Sequence, residues 1–169
     1  MDDPDCYIEV SDNSLRQCDI IHDCPAIVFP ESYAGESDIE VTIDHYDAII
    51  LSQSCDLLSK KIPQIIVAPI APLSVFRKHN PKLNNNQIKQ IRRGMMYRYL
   101  MLYPCPLWVG YETEELVIDF GKLFGVPRSI IENIVRITDK RIRIISPFRE
   151  HIAQNFGFSF MRVALPEPV

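Results

Sequence analysis

The sequence predicts an α+β protein: a small, strongly bent antiparallel sheet or small barrel, with two or three helices from the C-terminal half packed on it. Three observations predict this. Short apolar runs of strand type fill the first 75 residues, whereas apolar residues at helical spacing are concentrated after Asn84. The chain has 169 residues, of which 47% are hydrophobic, enough for one core. No internal repeat is visible.

Residues 1–13 read as an acidic flexible arm with a short strand at 6–10, and residues 14–165 as a single globular domain, barrel-like over about 15–75 and helical over about 84–163. Cys18-Asp19-Ile20-Ile21-His22-Asp23 leads through Pro25 into Ala26-Ile27-Val28-Phe29, which is one strand or two joined at a bend. Residues 30–38, rich in Glu, Ser and Gly, form a loop. Val41-Thr42-Ile43-Asp44-His45 alternates as a half-buried strand does, and Ala48-Ile49-Ile50-Leu51 is continuously apolar, as a central strand is. Residues 52–64 make a loop or a single helical turn. Ile65-Ile66-Val67-Ala68-Pro69-Ile70 is a further buried strand, whose Pro69 and Pro72 place its far end at a sheet edge or bulge.

Asn84-Asn85-Asn86 offers an N-cap for a helix with Ile88, Ile91 and Met95 on one face and Lys89, Arg92 and Arg93 away from it. Residues 97–103 and 116–118 are strands. Pro127 at a first helical position opens a helix with Ile130, Ile131, Ile134 and Val135 inward. Arg141-Ile142-Arg143-Ile144-Ile145 alternates as a strand. Ser146-Pro147 starts a closing helix to about Val163, with Phe148, Ile152, Phe156 and Phe160 as a stripe that must be buried.

The formal net charge of -4 hides an uneven distribution. Residues 1–56 hold 14 acidic side chains and one basic, Arg16; residues 57–111 hold nine basic and no acidic; residues 112–169 hold eight of each. Such a split points to a partner or to an internal acid–base embrace. No apolar stretch approaches the roughly 18 residues of a membrane span, and the acidic start is the opposite of a secretory leader. A cytoplasmic protein that crosses no membrane is expected. Five cysteines, an odd number, point to reduced thiols. No glycine-rich phosphate loop is present, so common nucleotide-driven chemistry is excluded and no cofactor is expected.

Ser52-Gln53-Ser54-Cys55-Asp56 is the densest polar cluster between two buried strands, a place where a rigid scaffold presents side chains to a loop-lined surface. Cys55 would be a nucleophile if His22, His45, His79 or His151 reached it as a base. Alternatively Ser52 or Ser54 caps a helical turn, Asp56 stabilises its start and Cys55 packs. Cys18, His22 and Cys24 do not make a zinc site: on a strand Cys18 and His22 stand about 13 Å apart, and tetrahedral ligands lie within about 2.3 Å of the metal. No metal is expected. Arg77, Lys78, Lys82, Lys89, Arg92, Arg93 and Arg98 follow one another without an acidic neighbour. Lys89 and Arg93, four apart on a helix, repel by about 0.2–0.5 kcal/mol. With Tyr97, Tyr99 and Tyr103 beyond them, they suit phosphate contact plus base stacking, unless the acidic first third folds against them. Along the closing helix, His151, Asn155, Ser159 and Arg162 form a polar stripe, either solvent-facing or turned to the 52–56 loop beside Arg149.

Asp47-Ala48-Ile49-Ile50-Leu51-Ser52 followed by Gln64-Ile65-Ile66-Val67-Ala68-Pro69-Ile70 resembles the two central strands of MazF/PemK-like toxins, with Cys18-Asp19-Ile20-Ile21 in the place of their first strand. The resemblance covers about residues 15–75 and implies an SH3-like barrel and RNA as the ligand. The family's Arg-Pro is Tyr46-Asp47 here, and its hydroxyl residue after Pro-Ile is Ala71, so the groups that stabilise developing phosphate charge are missing. Residues 52–56 and 146–163 resemble a second bacterial family that carries no assigned activity.

Together these readings predict a degenerate MazF/PemK-like barrel, a binding or regulatory module of a bacterial toxin–antitoxin or antiviral-defence system. Its partner is nucleic acid, RNA first, or an acidic protein, held by Lys78, Lys89, Arg92 and Arg93 with Ser52 and Gln53; a homodimer is left open. The alternative is an enzyme: a metal-independent endoribonuclease using Asp56, Arg149 and His151, or a hydrolase using Cys55.

Overall fold

The computed structural model describes residues 6–30 and 38–161. Among them eight strands and five helices follow in the order β1 (Tyr7–Val10), β2 (Ile20–Val28), β3 (Thr42–Ile50), α1 (Ser54–Leu58), β4 (Gln64–Pro72), α2 (Leu73–His79), α3 (Asn85–Arg92), β5 (Tyr99–Leu102), β6 (Leu116–Asp119), β7 (Phe124–Pro127), α4 (Arg128–Ile137), β8 (Arg141–Ile144) and α5 (Phe148–Phe160). The fold is α+β with antiparallel pairing. The sheet runs β2-β3-β4-β6-β5 with β7 also on β4, and β1-β8 make a second ribbon. Of the two shapes the sequence allows, the open sheet forms; there is no closed barrel among the described residues.

β4 is the strand that organises the core. It pairs with β7 over Gln64–Val67, with β3 over Val67–Pro69 and with β6 over Ile70–Pro72. The edge position expected from its prolines is therefore corrected. The β3 ladder ends at Pro69 and the β6 ladder starts at Ile70, so the missing N–H falls at a seam between ladders. Ile65 and Val67 join the cluster under α4, with Ile21, Ile50, Ile131 and Val135. Ala68 and Ile70 join the larger cluster, with Ile20, Ile49, Leu116, Ile144 and Ile152 of α5. α2 and α3 close a third cluster of Phe76, Ile88, Ile91, Tyr99 and Val117.

Several elements differ from expectation. The short strand expected at 6–10 forms as β1, but it is tied down rather than part of a flexible arm: it pairs residue for residue with β8, and Glu9 meets Lys140 at 2.6 Å. Residues 1–5 lie outside the described residues, as do 31–37 of the expected loop and 162–169, which include Arg162 and the expected end of the last helix at Val163. The two strands expected at 41–45 and 48–51 are one, β3. Its outer half is exposed on both faces rather than half-buried, because β4 pairs only with Ala48–Ile50 and β2 alone supports the rest. Pro127 is the N-cap of α4, not its first residue, because it ends β7.

α3 starts as expected. The Asn84 side chain accepts from the Gln87 N–H at 3.0 Å, and the Gln87 side chain accepts from the Asn84 N–H at 2.9 Å. It stops at Arg92, and Gly94 takes φ +68° in the left-handed turn that ends it. Met95 consequently falls outside the helix and is 64% exposed rather than on its buried face. α2 and β7 carry no periodic signal long enough to read. On α5, Ile152 is buried and Phe148 and Phe156 pack on the core, but Phe160 is 63% exposed, so the expected stripe is only partly covered.

β8 shows the largest departure from simple alternation, because all four of its residues are buried. Asp19, with no exposed surface, accepts from Arg141 Nε at 2.9 Å and from Arg143 Nη2 at 3.0 Å. Arg143 Nη2 also donates to the Ser14 carbonyl at 2.9 Å, and Arg141 Nη2 reaches the Asp12 carboxylate at 3.2 Å. The guanidiniums are buried because Nε and Nη2 of each find hydrogen-bond acceptors, with Arg143 Nη1 3.7 Å from the Asp12 carboxylate.

Candidate functional site

The acid–base embrace exists, but among the described residues it bypasses the basic segment. Glu9, Asp12 and Asp19 of the acidic first third pair with Lys140, Arg141 and Arg143 near the other end of the chain. Within residues 77–98, Arg92 is held by both Glu115 oxygens, and Arg98 by both Asp119 oxygens at 3.0 and 3.2 Å, over the Tyr99 ring at 5.1 Å. Arg77 donates to Asn85 at 2.9 Å. Lys78, Lys82, Lys89 and Arg93 are all exposed, and among the described residues none of their side chains has an ion-pair or hydrogen-bond partner. Of the tyrosines read as stacking groups, Tyr97 and Tyr103 are exposed, whereas Tyr99 is buried against Phe76.

α2 turns its other side, with Phe76 and His79, to a cleft of about 710 Å³. The opposite wall is made by a β-bulge. β2 and β3 pair Ile21 with Ala48 and then Cys24 with Tyr46, so His22 and Asp23 together face Asp47. Asp23 takes φ +54°, which an aspartate tolerates better than most residues. The extra residue aims a connected set of polar groups. Asp47 Oδ1 accepts from the Asp23 N–H at 3.2 Å and from His22 Nδ1 at 2.9 Å. His45 Nδ1 lies 3.0 Å from Asp23 Oδ1 and 3.2 Å from its carbonyl. Acceptors at both Nδ1 positions fix that nitrogen as the N–H in each ring and leave Nε2 to act.

The rest of the cleft supports these rings. His22 stands edge-on to the buried Trp108, with centroids 5.0 Å apart and planes at 86°. Asp44 accepts from the Tyr46 hydroxyl at 3.1 Å, and Asp119 is taken by Arg98 and the Gly121 N–H. Burial, reinforced by Asp44, pushes the Tyr46 hydroxyl pKa up, keeping it a donor. With the carboxylates engaged, His79 and Lys122 are basic side chains of the wall without an ion-pair or side-chain hydrogen-bond partner among the described residues.

The candidates read from sequence lie elsewhere. Ser52 Oγ accepts from the Ile66 N–H at 2.9 Å, and Ser54 Oγ from the Gln17 N–H at 3.1 Å, so both hydroxyls tie the loop to its neighbours. Gln53 is the N-cap of α1 without a side-chain cap bond, and Asp56 lies in the first turn of α1. The exposed Cys55 thiol points to Gln53 Oε1 at 3.6 Å and hydrogen-bonds no histidine among the described residues. Arg149 pairs with Glu150 at 2.6 Å, His151 is exposed beside Asn155, and neither shares a hydrogen bond with Asp56. Cys18 and Cys24 are fully buried, and desolvation pushes each thiol up to about 12. Among the described residues no three His, Cys, Asp or Glu side chains converge as metal ligands.

In the sequence His22 and His45 stood out as two of four candidate bases for Cys55, and nothing joined them to Asp23 and Asp47. The signal that joins them is a strand register with a one-residue bulge, which no local pattern encodes. No protein-family model matches the chain, and a search of curated proteins finds no similar one. No helix among the described residues is long and apolar enough to cross a membrane.

Proposed function

We propose that the protein is a nucleic-acid-binding module whose ligand is single-stranded RNA. The observation that carries this is the set of exposed cations Lys78, Lys82, Lys89 and Arg93, left without an ion-pair partner among the described residues, where Asp12 and Asp19 of the acidic third are engaged with Arg141 and Arg143 instead. Such cations exchange condensed counterions for phosphates, which gives affinity without sequence readout. Single strands are favoured because α2, which carries Lys78, also walls a cleft lined by the part-exposed Tyr46 and Tyr111, and aromatic surfaces suit unstacked bases. The MazF/PemK resemblance supports the same ligand: its two substituted positions, Asp47 with Tyr46 and Ala71, fall on this cleft. A regulatory role in a bacterial toxin–antitoxin or antiviral-defence system completes the reading.

The test is fluorescence anisotropy with a pooled RNA oligonucleotide at two salt concentrations. K78E/K89E/R93E weakens binding by at least about tenfold and flattens the salt dependence, each lost phosphate contact removing about 0.7 from the logarithmic slope for single strands. K60E/K61E, on the loop after α1, binds as the wild type does. Equal affinity of the triple variant and the wild type would show that these residues are only a solvated face.

A further inference from the structure

We infer that the protein associates with itself through two unlike patches, the outer end of the β2–β3 ribbon of one copy docking on the basic α2–α3 face of the next. Self-association neither needs nor excludes the RNA-binding reading. It is carried by what the fold leaves uncovered. Ile27 and Ile43 stand opposite each other in the β2–β3 register, on one face of the ribbon, and are 63% and 59% exposed. Phe29 and Val41, at the end of the same ribbon, are exposed as well. Single exposed apolar residues are ordinary on a protein surface, but four grouped at one ribbon end mark a contact surface.

Charge names what this surface meets. No Lys or Arg stands between Arg16 and Lys60, so the charged side chains of the ribbon are acidic apart from its histidines. Asp38 and Glu40 at its end are exposed, and neither side chain has an ion-pair or hydrogen-bond partner among the described residues. Lys78, Lys82, Lys89 and Arg93 are the complementary set, with the exposed Met95 and Tyr97 just beyond Arg93. Each patch therefore combines apolar surface with one sign of charge, and the signs match only between the two patches. Ribbon against ribbon sets acid on acid, and basic face against basic face sets cation on cation. Pairing two β2 edges is disfavoured too: β2 ends its sheet, but Pro25 removes an N–H from it and the neighbouring acids repel a like strand. Because the patches differ, a pair still carries one free ribbon and one free basic face. Association therefore runs past two copies unless both contacts close on each other.

Sedimentation equilibrium of the full-length protein over a range of concentrations tests this. The wild type is expected to gain mass with concentration at low salt. It returns to single chains when ionic strength is raised from about 0.1 M to about 1 M, which shortens the Debye length from about 10 Å to about 3 Å. I27T/I43T keeps β-branched side chains but removes apolar surface from the ribbon, and K89E/R93E reverses the basic face; each stays at the mass of one chain. Mixed, the two variants pair, because the first keeps its basic face and the second its ribbon, and the product stops at two copies. Both variants are net negative, so attraction between oppositely charged molecules does not account for the pairing. Wild-type denaturation midpoints certify both folds, and K89Q/R93Q serves if the glutamate variant misfolds. A wild type that stays a single chain at every concentration overturns the inference and leaves the ribbon to a different partner. A mixture that does not pair, or association that persists in high salt or in both variants alone, overturns it too. RNA anisotropy is read at protein concentrations below those at which copies associate, so failure of the RNA reading and failure of self-association are told apart.

Discussion

Arg141 and Arg143 on β8 and Lys78, Lys89 and Arg93 around α2 and α3 are cations of one protein with opposite fates. The first two are 6% and 9% exposed and converge on one carboxylate, Asp19. The other three are exposed and meet no acid among the described residues. Burial of an ion demands that every donor be matched, so the β8 arginines are fixed by structure and removing their acceptor is costly. Exposed cations cost the fold little, and what keeps them in the chain is sought outside it. Counting charges along the sequence finds both groups; only placement separates them.

The largest effect expected from breaking this contrast is at Asp19. D19A leaves two buried guanidiniums without their carboxylate and costs about 3–5 kcal/mol, read as a shift of the urea denaturation midpoint. D19N, which keeps an acceptor of the same shape, loses less. A loss below about 1 kcal/mol for D19A would mean that water reaches the pair and that the buried network is not what holds β8.

The thiols report on the burial around Asp19 independently. Cys18 is buried next to Asp19, its N–H donating to the Ile50 carbonyl at 2.8 Å and its carbonyl accepting from the Ile144 N–H at 3.0 Å. With the Cys18 and Cys24 thiols pushed up to about 12, neither supplies thiolate at neutral pH. Alkylation of the native protein therefore goes to the exposed Cys55, and mass mapping shows Cys18 modified only on unfolding. In D19A the Cys18 rate rises. Rapid labelling of Cys18 in the wild type would place the buried Asp19 network in exchange with an open form.

Acid probes the rim of the network. The Ser14 hydroxyl, ahead of the opposing burial and with the Ser14 N–H and Arg141 beside it, holds the Asp12 carboxyl at about 2 instead of its ordinary 3.8. A carboxylate depressed in the folded state stabilises it above the unfolded value and loses that contribution as pH falls through the folded one. The stability gap between wild type and D12N is therefore full above 3.8 and closes as pH falls toward 2. With half of the Asp12 side chain exposed, the gap is small. A gap that does not change across this window would mean that Asp12 is as free as in the unfolded chain.

Much of the fold was legible because it rests on local signals. The continuous apolar runs at 48–51 and 65–70, the Asn84 cap, the Pro127 start and the Ser146-Pro147 start all mark elements that form. What was hidden depends on register. Arg141 and Arg143 alternate with isoleucines, which locally reads as a half-solvated strand, and only the approach of Asp19 and the Asp12–Ser14 turn makes both faces buried. The cleft is hidden for the same reason: His22 and Asp47 are 25 positions apart and meet through the bulge at Asp23. The Ser52–Asp56 cluster looked richer because its polar groups are consecutive, yet its serines serve the backbone of the loop.

The smallest effect separates two neighbours in the basic segment itself. Arg92 and Arg93 are consecutive and both exposed, but Arg92 reaches across to Glu115 while Arg93 ends the helix without an acid. Exposed pairs contribute about 0.2–1 kcal/mol, so R92A lowers stability by an amount in that range. R93A falls within about 0.5 kcal/mol of the wild type, as surface substitutions do. RNA affinity runs the other way: the Arg92 charge is already offset by Glu115 and its loss is barely felt, whereas R93A weakens binding. Denaturation and anisotropy on the two single variants decide it. Identical behaviour in both measurements would mean that being partnered or not, at adjacent positions of one helix end, does not sort structural cations from binding ones.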